Sequence, residues 1–236
     1  MDAGTTIAII QQRLRDLSDP IRAQFSPNYF KLEPGDVDQF LGVTVPNQRK
    51  IVKEFYLKIT PRDVEQLLHS TVHEERLTAL LIWVMQYQKG DSNTKADIYS
   101  RYMKNTKWVN SWDLVDSTAS YIVGAELFGK DDAIIDTLSR SANMWERRIA
   151  IIATSYFIRN GEFAWTLTLA EHYLYDPHHY IQKATGWMLR EVGKKDEAVL
   201  RSFLDDYAQQ MPRTMLRYAI EKFDASTRAV YLAKKL

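Results

Sequence analysis

The residues best equipped for chemistry fall on one face when the chain is read as helices. In the run Trp108-Val109-Asn110-Ser111-Trp112-Asp113-Leu114-Val115-Asp116, Trp112 and Asp116 stand four residues apart, so on a helix they are neighbours one turn apart. The same spacing joins Lys183 to Trp187 and Arg213 to Arg217. Lys183, Trp187 and Arg190 lie away from the apolar stripe Ile181, Ala184 and Met188, which places Trp187 on the side that does not enter the core. A face with acidic, aromatic and basic groups together can handle a proton, attract a cation and hold an anion. It also suits ordinary helix packing, which is the usual role of a tryptophan such as Trp83, Trp108, Trp145 or Trp165 in a helical repeat. Taken alone, Asp116 reads as a solvated acid or an N-cap, and Arg148 as a partner for Glu146 or Asp113.

A shared register ties these residues together. Aligning the apolar stripes brings Arg76, Arg148, Lys183 and Arg217 into equivalent positions, with steps of 35 and 34 residues between the last three and 72 between the first two. The skipped position falls at Trp112, so a row of cations is interrupted by an aromatic–acid cluster. A repeat of this length is one helical hairpin. The tetratricopeptide consensus is absent, which favours the HEAT type.

The elements that must position these residues are helices throughout. Leu77, Leu80, Leu81, Val84 and Met85 recur at helical spacing, as do Ile149, Ile152, Ala153 and Tyr156, and then Ile181, Ala184, Met188 and Val192. Pro61 after Thr60 marks a helix start, and Pro46, Pro177 and Pro212 each precede a periodic stretch. Gly90, Gly161 and Gly193 follow such stretches, where left-handed C-caps are expected. The only alternating segment, Gly42-Val43-Thr44-Val45, is too short to seed a sheet. The expectation is an all-α, right-handed-type superhelical solenoid of HEAT-like hairpins, a single domain over 1–236 in which residues 1–60 form a less regular cap and 61–236 the repeats.

Composition bounds the partners. With 31 Lys and Arg against 30 Asp and Glu the formal charge is +1, so any anionic partner must be held by local placement rather than by net charge. The absence of cysteine excludes disulfides, thiolate metal sites and a cysteine nucleophile. The start Met1-Asp2-Ala3-Gly4 has no signal-peptide character and no apolar run approaches membrane-spanning length, so a cytoplasmic, membrane-free protein is expected. His69 and His73 have four-residue spacing but no third ligand, and His178-His179 reads as a surface pair at a helix start. Neither a metal nor a nucleotide cofactor is expected.

The segments Asn110 to Asp116, Trp145-Glu146-Arg147-Arg148, Ile181 to Glu191 and Met211 to Ala219, preceded by Tyr29-Phe30-Lys31, Phe40 to Val43, Pro46 and Arg49, together resemble the bacterial AlkD-like alkylpurine DNA glycosylases over most of the chain. The resemblance implies a HEAT-like solenoid that cups duplex DNA and hydrolyses the N-glycosidic bond of cationic N3- or N7-alkylated purines in base excision repair, with the base left in the stack rather than extruded. It makes Asp116 the catalytic carboxylate and Trp112 and Trp187 the aromatic pair flanking the lesion. Arg148 becomes a phosphate contact, with Lys183, Arg190, Arg213, Arg217 and Arg76 as further DNA-binding cations. No cofactor and no partner chain are needed. Ser111, where many relatives carry asparagine, and Glu146 beside Arg148 depart from the pattern. A DNA-binding relative without activity and a protein-interaction scaffold are the alternatives.

Overall fold

The computed structural model describes residues 3–30, 38–130 and 132–233, and these form two compact units, Met1–Ile122 and Val123–Leu236. The boundary falls inside a π-helical turn, Ser120–Gly124. The first unit holds α1 (Ala3–Asp16), α2 (Pro20–Phe30), α3 (Val45–Phe55), α4 (Pro61–Leu68), α5 (His73–Lys89), α6 (Ser92–Lys104) and α7 (Trp112–Asp116). The second holds α8 (Ala125–Leu127), α9 (Ile134–Ser139), α10 (Met144–Arg159), α11 (Ala164–His172), α12 (His179–Lys195), α13 (Glu197–Tyr207), α14 (Arg213–Ala219) and α15 (Ala225–Ala233). Among the described residues there is no strand, only an isolated bridge between Gln39 and Val72, so the all-α expectation holds.

In the first unit α5 is the axis. It packs against α3, α4, α6 and α7, and α1 also touches it. The expected single apolar stripe is instead a helix buried nearly all round: Leu77, Leu80, Ile82 and Trp83 all lie in the core. Such a helix must satisfy its polar atoms internally. The Trp83 indole donates to Pro61 O at 2.9 Å, and the Gln86 amide to Tyr56 O and Ile59 O, which ties α5 to the turn between α3 and α4. That turn ends as the Thr60-Pro61 pair predicts, with the Thr60 hydroxyl accepting from the Asp63 N–H and Pro61 in the first turn. By contrast α2 has no buried residue, and Ile21, Phe25 and Tyr29 are well exposed.

In the second unit α10, α12 and α14 pack in succession, with α9, α11 and α13 beside them. Ile149, Ile152, Ile181, Ala184, Met188 and Val192 all lie in the core as their spacing requires. Glycine sets the closest approach. A Cβ on Gly186 of α12 would sit 2.4 Å from Met215 O and 2.6 Å from Tyr218 Cβ on α14, and one on Gly124 would sit 2.2 Å from Ala153 O of α10. Backbone contact of this kind offsets the entropic penalty of a glycine in a helix, about 0.5–1 kcal/mol.

The three glycine caps divide. Gly161 follows α10 with φ +84° as expected. Gly90 caps α5 in an extended conformation, and Gly193 does not end its helix: α12 runs on to Lys195, while Leu200 of α13 fills the space over the glycine. None of the helices is long and apolar enough to cross a membrane, among the described residues.

Candidate active site

Five residues make α7, and their burial alternates as a helix dictates. Leu114 and Val115 face the core, while Trp112, Asp113 and Asp116 are half-buried. The helix is held at its C-terminal end by Thr118, whose hydroxyl donates to Leu114 O at 2.5 Å and meets the buried Tyr102 hydroxyl at 3.0 Å. Burial and the nearby Asp116 charge both push the Tyr102 hydroxyl up from its ordinary value, so it stays protonated. Asp116 is thus a half-buried carboxylate at the end of α7, near enough for its charge to be felt at the buried Tyr102. Trp112, one turn earlier, packs edge-on against Tyr29 at 5.7 Å and stacks on Phe30 at 5.8 Å, both from α2.

Directly behind α7 lies a charged cluster that spacing alone did not disclose. The four residues that open α5, His73-Glu74-Glu75-Arg76, are all buried, and together they tie down several distant pieces of chain, Asp38 twice over. His73 bridges two carboxylates, Nδ1 at 3.1 Å from Asp38 and Nε2 at 2.8 Å from Asp113. Glu74 accepts from the backbone N–H groups of Leu41, Gly42 and Val43 at 2.7–3.2 Å. Glu75 accepts from Gln11 of α1 and pairs with Arg15. Arg76 donates to Ser70 O and, at 2.5 Å, to Asp38. The legible signal was an uninterrupted polar run at the start of a helix with no solvent face, where polar groups must find partners.

Burial disfavours a charge on His73, but its hydrogen bonds to Asp113 and Asp38 more than offset that and raise its pKa to about 9. Because this lies above the ordinary 6.5, the stabilisation is fully present below pH 6.5 and is lost as the pH rises through 9. A shift of this size corresponds to on the order of 3 kcal/mol. Thermal unfolding followed from pH 6 to pH 10 is therefore expected to show the first unit losing several degrees of Tm above pH 6.5, and a His73→Gln variant should lose most of that dependence.

The structure places the remaining expected residues as follows. Arg76, expected to extend a row of accessible cations, is only 2% exposed and committed to Asp38, so the row does not reach it. In the second unit Arg148 is 5% exposed; its Nη1 donates to Tyr180 O at 2.5 Å, with the guanidinium 5.9 Å from the Tyr180 ring. Trp187 is half-buried, and its indole N–H donates to Glu191 one turn on, at 3.1 Å. Arg190 is engaged by Glu191 and Glu221. Lys183 is half-buried, and Arg213 and Arg217 are exposed, Arg213 donating to Leu232 O at 2.8 Å.

Of the other tryptophans only Trp83 is fully buried. Trp108 stacks on His69, Trp145 meets Tyr180 at a tilt, and Trp165 donates to Asp132. His69 and His73 do not share a helix. His69 caps α4 and bonds Asn105, while His73 opens α5 after a turn, so the four-residue spacing carries no common face. No group of three potential metal ligands occurs among the described residues. His178 and His179 stand at the start of α12, as their position suggested.

Comparison with known proteins agrees with this architecture. A predicted DNA alkylation repair enzyme from Enterococcus faecalis shares 16% identity, with a TM-score of 0.70 over 88% of this chain and 97% of that one. AlkD2 from Streptococcus mutans shares 15% identity, with a TM-score of 0.60 over 95% of this chain and all of that one. At these identities the likeness concerns the fold. No curated protein sequence matches. The family model described as DNA alkylation repair enzyme matches residues 10–223, nearly the whole length, and the chain belongs to that family.

Proposed function

We propose that the protein is a DNA glycosylase that hydrolyses the N-glycosidic bond of cationic N3- or N7-alkylated purines in duplex DNA. The observation that supports this most is α7 itself: in a chain of a DNA alkylation repair family, a five-residue helix carries a half-buried carboxylate, Asp116, and a half-buried indole, Trp112, one turn apart.

The chemistry asks little more. A purine alkylated at N3 or N7 already carries positive charge, so the bond from C1′ to the base nitrogen can break without a general acid, its electron pair neutralising the departing base. Positive charge then gathers on the sugar. Asp116 stabilises it and takes the proton of the water that adds to C1′. Trp112 and Trp187 each offer an indole face to a cation, an attraction of about 0.5–2 kcal/mol according to desolvation. Lys183, Arg213 and Arg217 hold phosphates without reading sequence, so binding weakens with salt. The base need not leave the stack, and a single protein chain suffices.

The test is release of free base from duplex oligonucleotides under single-turnover conditions. Release of 7-methylguanine and 3-methyladenine is expected at rates at least roughly a hundredfold above those of uracil or hypoxanthine, since nothing in this set of residues protonates a neutral leaving base. Equal rates on neutral and cationic lesions contradict the mechanism. Tight binding to DNA with no release of any alkylated base would make the chain a DNA-binding member of the family.

A further inference from the structure

A helix of five residues cannot hold its own shape, so something else must fix α7. Its N-cap, Ser111, makes no side-chain cap bond. What reaches its first turn is His73, through the bond to Asp113 at 2.8 Å. The second oxygen of Asp113 is buried and makes no hydrogen bond among the described residues. Asp38, the other carboxylate on His73, also has Arg76; Asp113 has only the imidazole as an ion-pair partner among the described residues. The ring face contributes too, because His73 lies 4.5 Å from Phe30 and 5.1 Å from Phe40, and Phe30 stacks on Trp112. Two consecutive residues of α7 are thus gripped from one buried side chain, Trp112 through an intervening ring and Asp113 directly.

We infer that His73 is a positioning residue, which by bridging Asp38 and Asp113 holds α7 so that Trp112 and Asp116 keep the orientation their chemistry needs. This rests on the function proposed above. His73 is 2% exposed and both ring nitrogens are engaged, so it acts through Asp113 rather than on the reacting atoms. The bridge needs two donors, which only the imidazolium has; a neutral ring donates once. The charged groups that face it are Asp113 from α7, Asp38 from the segment before α3, and Arg76 from its own helix. From α2 it meets the uncharged ring of Phe30.

The inference is tested with the full chain and three variants, His73→Gln, Asp113→Asn and the double variant. Glutamine donates from one end only and cannot bridge. Local amide exchange reads α7 directly, since Val115 N–H bonds Ser111 O at 3.1 Å and Ser117 N–H bonds Asp113 O at 3.0 Å. Both single variants are expected to exchange these amides at least about tenfold faster while α10 and α12 stay unchanged, and to release 7-methylguanine at least about tenfold more slowly. The double variant should lose no more than either single one, as for two residues acting as a unit. In the wild type the rate should also fall as the pH rises through 9, and this fall should be absent in His73→Gln.

Unchanged exchange in α7, exchange raised equally throughout the chain, or additive losses in the double variant would overturn the inference. Should His73→Gln not fold, Asp113→Asn alone decides on the same local exchange. If the wild type releases no base, the proposed function fails by itself, and the exchange measurement still judges whether His73 holds α7.

Discussion

Asp116→Asn is expected to slow release of 7-methylguanine by at least roughly a hundredfold in single turnover, the scale at which a positioned proton acceptor acts, while binding of undamaged duplex stays the same or tightens slightly. The argument is local. Asparagine has nearly the shape of aspartate, and the residue is half-buried rather than part of the core, so the substitution leaves Leu114, Val115 and the Thr118 bond to Leu114 O in place. What disappears is a negative charge and a base. Both matter only once the glycosidic bond stretches and the sugar turns cationic, so the loss falls on the rate and spares affinity. Binding gains if anything, because a carboxylate facing phosphates is removed. The check is paired: free base released with enzyme in excess, and duplex affinity at the same salt. A variant that releases base at the wild-type rate would remove Asp116 from the mechanism and leave the charged sugar without its partner.

The helices were legible because their boundaries carry chemistry: Thr60 with Pro61, Pro46 in the first turn of α3 and Gly161 at positive φ after α10 each do what their covalent structure favours. The pairing of Trp112 with Asp116 was legible for the same reason, since both lie on one short helix. Errors arise where a partner comes from far along the chain. Nothing around Arg76 announces Asp38, thirty-eight residues earlier, and equivalence in a repeat says nothing of whether a position has been sealed. Arg148 itself reaches a backbone carbonyl thirty-two residues on, that of Tyr180, which nothing near it in sequence announces. The break between His69 and His73 was hidden because Ser70 and Thr71 make the turn without glycine or proline, the Ser70 hydroxyl accepting from the Val72 N–H. Gly193 was misread because a neighbour's side chain, Leu200, uses the space a Cβ would fill, and that need is tertiary.

Arg76→Ala carries the second large expected effect, and it separates a buried cation from one that meets DNA. Arg76 and Asp38 are 2% and 8% exposed at their side chains, and Asp38 Oδ2 accepts from both Arg76 and His73. Burial works against the Asp38 charge, but the bonds from His73 and Arg76 hold its carboxyl below the usual carboxylate range. Truncating Arg76 leaves Asp38 in the interior with one cation instead of two, and strips Ser70 O of its donor. Breaking one side of a buried pair costs about 3–5 kcal/mol, against a total of about 5–15 kcal/mol for a typical domain. A denaturant melt of the first unit should therefore shift its midpoint strongly, or show the variant unfolded. Arg217→Ala is the control, because Arg217 is exposed: stability should move by no more than about 0.5 kcal/mol, while duplex affinity drops and the dependence of its logarithm on log salt flattens by about one contact. An Arg76→Ala protein that melts like the wild type and loses a salt-dependent contact would place Arg76 on the DNA after all and sever it from Asp38. Its failure to fold together with an intact salt slope in the milder Arg76→Lys variant would fix its task as holding the segment at Asp38, and with it His73, against the start of α5.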